Sequence, residues 1–378
     1  MKTMNQFLTL ALLSFFSFVS LAEVNFQGFA SFVGGATLDK DDTPYLGYEN
    51  KLGYDKNSLY ALQASSDMGD GLTVTGQLIA RGNQNYKPEF EWLYASYNLT
   101  PTLNAKIGRI RTPFYMFSEY LEVGYTYHWI RPPIELYAAQ VTNMDGVSFL
   151  YNFPMGSVDS QYMISIGNRD TFSDNPEFTT SDYKPLIAAN AQFEYGPYTG
   201  KLIYTQGDIT IDTTNAELVA AQNGLAALDA TFAEEHAQIS DSTVIFAGFA
   251  AEMNFHPLKI LIEYSTIDFD SIVLIPDETR MLASAAYGVT DSFLIHYSWS
   301  ANEKEGESDL AGKATGAVAQ ATAQAIIDGT ERDTTTHTVG IRYDFHESAA
   351  FKTEIISTEE TKLDTEATLL RFGIDMLF

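Results

Sequence analysis

Sixteen segments of roughly ten residues recur along this chain, each bounded by turn residues, and the links between them are alternately short and long. The segments are 24–33, 58–66, 72–82, 90–98, 103–111, 144–153, 158–167, 186–195, 198–209, 243–255, 258–268, 278–287, 292–301, 335–345, 349–358 and 367–378. Several alternate clearly: Leu258, Ile260, Ile262 and Tyr264 oppose Lys259, Glu263 and Ser265. Phe293, Ile295, Tyr297 and Trp299 oppose His296, Ser298 and Ser300, and Val339, Ile341, Tyr343 and Phe345 oppose Thr338, Gly340, Arg342 and Asp344. Alternation with period two is the signature of a strand with one apolar and one polar face.

The short links are turn-like: 67–71, 100–102, 154–157, 196–197, 256–257, 290–291 and 346–348. Those between them are mostly longer: 34–57, 83–89, 112–143, 168–185, 210–242, 269–277, 302–334 and 359–366. A β-sandwich with crossed connections has no such rhythm. An up-and-down barrel requires it, with turns at one end and loops at the other. The expectation is therefore an all-β, 16-stranded antiparallel transmembrane barrel. Its apolar face meets lipid and its polar face lines the lumen.

The two chain ends agree with that reading. Lys2 precedes an apolar run, Phe7 to Phe18, and Ser20-Leu21-Ala22 places small residues where a signal peptidase cuts. Residues 1–22 are expected to be a cleaved export leader, with 23–378 forming one barrel domain. The run is shorter than the ~20 residues a spanning helix needs. At the other end, Thr368, Leu370, Phe372, Ile374, Met376 and Phe378 share one face of a strand, with Arg371, Gly373 and Asp375 on the other. This strand resembles the terminal strand of bacterial outer-membrane barrels. In that family the final Phe and its alternating apolar neighbours are read by the barrel-assembly machinery, which implies that role for Phe372, Ile374, Met376 and Phe378.

Composition fits a barrel with interfacial aromatics, since Tyr (22) and Phe (25) far outnumber Trp (3). There is no cysteine, so neither disulfides nor thiol chemistry are available. The formal charge is -27, becoming -28 once Lys2 leaves with the leader, which argues against nucleic acid as a partner. Acidic residues gather in the long loops: Asp39, Asp41 and Asp42; Asp170, Asp174, Glu177 and Asp182; Glu303, Glu305, Glu307 and Asp309. Hydrated carboxylates keep loops soluble, and they could also hold divalent cations bridging to lipopolysaccharide phosphates. Residues 215–237 and 311–328 are Ala-rich and suggest short outer helices.

The link 112–143 is unusually aromatic for an exposed loop, with Phe114, Tyr115, Phe117, Tyr120, Leu121, Tyr125, Tyr127 and Trp129. A loop this apolar should pack against something, and the barrel interior is the available surface. Here the chain resembles sixteen-stranded, trimeric Gram-negative porins, whose third loop folds inward and narrows the channel. That resemblance implies acidic groups on the loop (Glu119, Glu122 and Glu135) facing a basic wall. The wall candidates are Arg81, Arg109, Arg111 and Arg371, with Lys106, Glu263, His296, Arg342 and Asp375 also lumen-facing. Alternation from Leu103 through Ile107 would carry Arg109 into lipid, at a cost of roughly 2–4 kcal/mol near mid-membrane. A bulge or phase change near Gly108, turning Arg109 and Arg111 inward, is the expectation; alternatively Arg111 lies above the membrane.

The function expected from all this is passive diffusion of small hydrophilic solutes and ions, with a lean to cations and no cofactor or metal. A substrate-selective channel for sugars or organic ions, and a non-conducting receptor barrel, are the alternatives. An enzyme would need a converging nucleophile and base, and no Gly-x-Ser-x-Gly elbow occurs among these residues. Partners would be outer-membrane lipid and lipopolysaccharide, the assembly machinery, and two further copies in a homotrimer.

Overall fold

The computed structural model describes residues 23–39, 44–138, 141–172, 180–213 and 215–378. The expected leader, and the loop residues Asp41, Asp42, Asp174 and Glu177, lie outside them. The first eight strands are β1 (Val24–Thr37), β2 (Leu59–Gly69), β3 (Leu72–Arg81), β4 (Pro88–Thr100), β5 (Leu103–Arg111), β6 (Asn143–Met155), β7 (Val158–Phe172) and β8 (Thr180–Tyr195). The other eight are β9 (Tyr198–Asp212), β10 (Ser242–Phe255), β11 (Leu258–Phe269), β12 (Asp277–Thr290), β13 (Phe293–Glu305), β14 (Arg332–His346), β15 (Ala349–Glu360) and β16 (Thr365–Leu377). Each hydrogen-bonds its sequence neighbours, and β1 pairs with β16 to close the ring. All sixteen expected strands are present.

The main departures are at the loop end. The strand β8 begins six residues before the expected 186, and β7 runs five past 167. Beyond the membrane a strand no longer has a lipid face and an aqueous face, so the alternation fades while the ladder continues. At the opposite end the turns are tight. Asp70 and Gly71 join β2 to β3 with φ of 51° and 82°, the doubly positive geometry of a type I′ hairpin.

Closure brings the C-terminus back to the start of β1. Gly28 N donates to Phe378 O at 2.7 Å, and Phe378 N donates to Gly28 O at 3.0 Å. The Phe378 ring stacks on Tyr60 at 5.6 Å and covers Gly28, where a β-carbon would collide with it. Along β16 Arg371, Gly373 and Asp375 are buried toward the lumen, while Phe378 is exposed on the outer side. The outward rows of the other strands are likewise exposed and apolar, including Leu202, Ile262, Phe249 and Val339. No helix among the described residues is long and apolar enough to cross a membrane.

The loop end carries four helices, α1 (Ala216–Leu228), α2 (Ala230–His236), α3 (Ser308–Ala311) and α4 (Ala317–Thr330), within the expected Ala-rich stretches extended slightly. They bury Leu225, Phe232, Leu310, Ala323 and Ile327 in one cluster with Ile272 to Leu274. Asp229 ties this layer together: its side chain caps α2 by accepting from Phe232 N at 3.1 Å and accepts from Thr315 N at 2.7 Å.

Two outcomes test this description. Replacing Leu202 with Arg on the lipid face should cost roughly 2–4 kcal/mol of unfolding free energy in vesicles, whereas a lumen-facing site should tolerate charge far better. The backbone amides hold the Asp229 carboxyl below the usual carboxylate range. A depressed pKa stabilises above the unfolded value, about 3.9, and that stabilisation is lost as pH falls through the folded one. Asp229→Ala at pH 7 should raise amide exchange in residues 229–236 and 315–330, and wild type should show the same rise on acidification.

Candidate pore constriction

The described part of the third loop, residues 112–138, packs inside the barrel. Its large aromatic residues are buried or half-buried, except Tyr120, which is exposed. Tyr115, Phe117, Tyr127, Trp129 and Leu136 are buried against inward-facing Ile203, Phe246, Ala250, Leu261 and Leu282. The rings interlock edge-on and tilted, as Phe117 does with Trp129 at 6.2 Å and Tyr127 at 5.2 Å. Strands β9 to β12 therefore carry apolar side chains among the polar ones on their inward face at this level, where an evenly polar lumen was expected.

An irregular backbone buried inside a barrel must find partners for its N–H and C=O groups. Four wall cations supply donors here. Lys201 Nζ donates to Tyr115 O and Met116 O at 3.1 and 3.4 Å, and Arg280 to Leu136 O at 3.2 Å. Arg342 donates to Tyr125 O and Tyr127 O at 2.7 and 2.5 Å, and Lys352 to Gly124 O and Trp129 O at 2.6 and 2.7 Å. Wall carboxylates take the amides: Glu263 accepts from Met116 N at 2.8 Å and Glu354 from Ile130 N at 2.7 Å. Glu135, on the loop, accepts from Ser300 and Thr336 at 2.8 and 2.6 Å. Such charge-assisted bonds are shorter and stronger than neutral ones. Sequence reasoning named none of Lys201, Arg280, Lys352 and Glu354, whose partners are main-chain groups of a loop distant in the chain.

Several expected lumen residues join this anchoring. Arg371 donates to Glu354 at 2.9 Å, and Asp375 pairs with Lys352 at 2.7 Å beneath Gly124. His296 is fully buried between Glu354, 3.8 Å away, and the His128 ring at 4.9 Å. Glu263 and Arg342 hold the loop as above. All face inward, and Arg371 also lines the cavity at the long-loop end.

With the loop fastened to β9–β16, open space remains along β1–β5. A cavity of about 600 Å³ opens at the long-loop end, lined by Lys56, Arg81, Glu122, Arg131 and Arg371 among others. One of about 580 Å³ opens at the short-turn end, lined by Gln63, Gln77, Trp92, Glu119 and Val123. Between them Arg81 reaches from the wall to Glu122 on the loop at 2.7 Å, and also meets Glu91 at 2.6 Å and Glu89. Arg111 meets Glu91 at 2.5 Å and lies over the Trp92 ring at 5.4 Å. Two arginines face three carboxylates, a local balance of −1. Lys106 and Glu119 line a smaller cavity of about 170 Å³ and cancel one another.

Arg109 corrects the expectation. Register through β4, β5 and β6 runs past Gly108 without a shift, so Arg109 keeps the outward parity of Ile107, which is 62% exposed. Cross-strand Asp145 neutralises it with two bonds of 2.8 Å, so the lipid cost is met by pairing instead of by flipping. The break in phase lies on the neighbouring strand, where Gln77 pairs with Trp92 and Leu78 with Phe90. Glu91 is the extra residue, and the bulge turns both Glu91 and Trp92 inward. Arg111 reaches inward because β5 ends there and the chain enters the loop. The adjoining Phe90, Glu91 and Trp92 break the alternation, which is the one signal in the sequence that could have located Glu91.

Glu122→Gln should raise single-channel conductance in planar bilayers and move the reversal potential toward anion preference. Arg81 keeps Glu91 and Glu89, so the stability cost should stay near 1 kcal/mol or below. Unchanged current and reversal would place Glu122 off the conduction path.

No protein-family model and no curated protein matches the chain. Solved structures do. A loop L8 deletion mutant of OmpT, an outer membrane protein of Vibrio cholerae, superposes with a TM-score of 0.59 at 14% identity, over 94% of this chain and 99% of that one. The anion-selective porin of Comamonas acidovorans gives 0.57 at 13%, over 94% and 100%. Salmonella typhi OmpF, in a complex with daunomycin, gives 0.59 at 11%, over 94% and 98%. At such identities what is shared is the architecture, and this chain is a closed, sixteen-stranded antiparallel barrel with the porin fold.

Proposed function

We propose that the protein is an outer-membrane channel for passive diffusion of small hydrophilic solutes and ions, with a weak preference for cations. The observation that carries this reading is the polar passage along β1–β5. Two cavities of about 600 and 580 Å³ lie on either side of the Arg81–Glu122 pair, and charged or amide side chains line both. A charge there lies within a Debye length, about 8 Å at physiological salt, of any solute that passes. Selectivity in such a pore comes from its width and from lining charges. The one-carboxylate excess around Arg81 and Arg111 favours cations, and Lys56, Arg131 and Arg371 around the outer cavity oppose it, which keeps the preference weak. The field runs between acidic Glu119 and Glu122 on the loop and basic Arg81, Lys106 and Arg111 on the wall. Arg109 drops out of the constriction set, and Arg371 contributes at the outer cavity.

The sugar-selective alternative is less favoured because the loop aromatics that would stack on sugar rings are mostly buried or half-buried, with Tyr115 and Trp129 each at 1% exposure, leaving Tyr120 exposed and Tyr137 at the outer cavity. No histidine lines the passage among the described residues, so we assign it no catalytic step. The proposal includes export by a leader at residues 1–22 and reading of Phe372, Ile374, Met376 and Phe378 by the barrel-assembly machinery. It also includes contact with lipopolysaccharide and assembly as a homotrimer; one similar structure, OmpT of Vibrio cholerae, is described in a trimer form.

Single-channel recording of the purified protein should give large ohmic steps in groups of three, with a reversal potential of cationic sign under a salt gradient. Lys106→Glu should strengthen cation preference, and Glu119→Lys should weaken or invert it. Absence of conductance from correctly folded protein would overturn the channel reading.

A further inference from the structure

A water-filled barrel should be polar inside, yet β8 to β11 point apolar side chains inward above the third loop. Leu186, Ile209, Val244, Phe246, Ile267 and Phe269 all do so. Part of this surface is consumed in packing against the loop and the outer helices. The rest lines a cavity of about 320 Å³, bounded by Phe114 and Tyr115 of the third loop and by Leu274 to Pro276. It shares no lining residue with the cavities of the polar passage. Protein interiors rarely leave voids larger than a water, and this volume is at the lower end of pockets that hold drug-sized ligands, ~300–1,000 Å³.

Two polar features define what would fit. Thr205 lines the cavity at 2% exposure, and its hydroxyl makes no hydrogen bond among the described residues. One end of the cavity carries Glu278, Arg280 and Lys304. The Glu278 carboxylate is saturated, accepting two bonds from Arg280 at 2.9 and 2.7 Å, one from Asn302 at 3.2 Å and one from Lys304 at 3.1 Å. Among the described residues Lys304 has that single acceptor, and its side chain is 34% exposed, which leaves two of its three ammonium protons for another partner. The three side chains together carry one excess positive charge.

We infer that the barrel holds a second ligand site, apolar and apart from the polar passage, which takes an amphipathic molecule with one anionic headgroup. The aliphatic or aromatic body lies among Val244, Phe246 and Ile267, the head meets Lys304, and the Thr205 hydroxyl serves a polar atom along the body. This goes beyond passive diffusion and does not depend on it.

The test is equilibrium binding of 3-[4-(trifluoromethyl)phenyl]propanoate to the full chain in lipid nanodiscs, followed by fluorine NMR. The carboxylate should saturate at one per chain. Its uncharged amide and the Lys304→Met variant should each bind tenfold or more weakly, the range of a charge-assisted hydrogen bond. Val244→Trp, which fills the cavity, should abolish binding; circular dichroism verifies that each variant remains a barrel, and Lys304, at the rim, can be removed without touching the packed interior. Uptake by empty nanodiscs equal to that of loaded ones, binding unaltered in both variants, or an amide that binds as tightly as the acid would overturn the inference.

Discussion

The arrangement depends on one constraint: a backbone polar group shut away from water has to be paired. In lipid that constraint closes the sheet, because an open strand edge cannot face hydrocarbon, and β1 meets β16 through paired Gly28 and Phe378. Inside the barrel the same constraint acts on the third loop, which has no ladder of its own. Lys201, Arg280, Arg342 and Lys352 on one side of the ring answer its carbonyls, while Glu263 and Glu354 answer its amides. Charges that could have lined a pore are spent holding this segment in place.

The position of the passage follows from which wall holds the loop. Once the aromatic cluster of Tyr115, Phe117 and Trp129 is seated on β9–β12, the unfilled part of the lumen is the β1–β5 side. That side carries Gln63, Gln77, Arg81, Lys106 and Arg111, so polarity and open space coincide. The bulge at Glu91 adds a carboxylate between two arginines and leaves the cluster around Arg81 and Arg111 close to neutral, with Glu89 and Glu122 tipping it negative.

The interior is thus divided. One half is open and lined by polar and charged side chains. The other is packed and apolar, continuous with the helices over the loop end, and includes a cavity with an unpaired hydroxyl. Two interior chemistries within one ring of strands follow from the third loop crossing the barrel instead of lining it evenly.

The strand count, the alternation of turns and loops, the lipid-facing rows and the inward lean of loop 112–142 were legible in the sequence, because each is a local periodicity or a local excess of apolar residues. Arg81 and Arg371 could be placed by counting along their own strands. Arg109 could not, since its counterion Asp145 is 36 residues away and becomes a neighbour only through the β5–β6 register. Glu91 was hidden by a bulge that reverses parity, and Lys201, Lys352 and Glu354 by having partners on a distant loop. Sequence alone therefore determined that this chain closes into a sixteen-stranded barrel with an internal loop, because strand faces and link lengths repeat along the chain. Only the tertiary structure decided which charges face water and which hold the loop, because that depends on register and closure, which bring residues far apart in the chain to hydrogen-bonding distance.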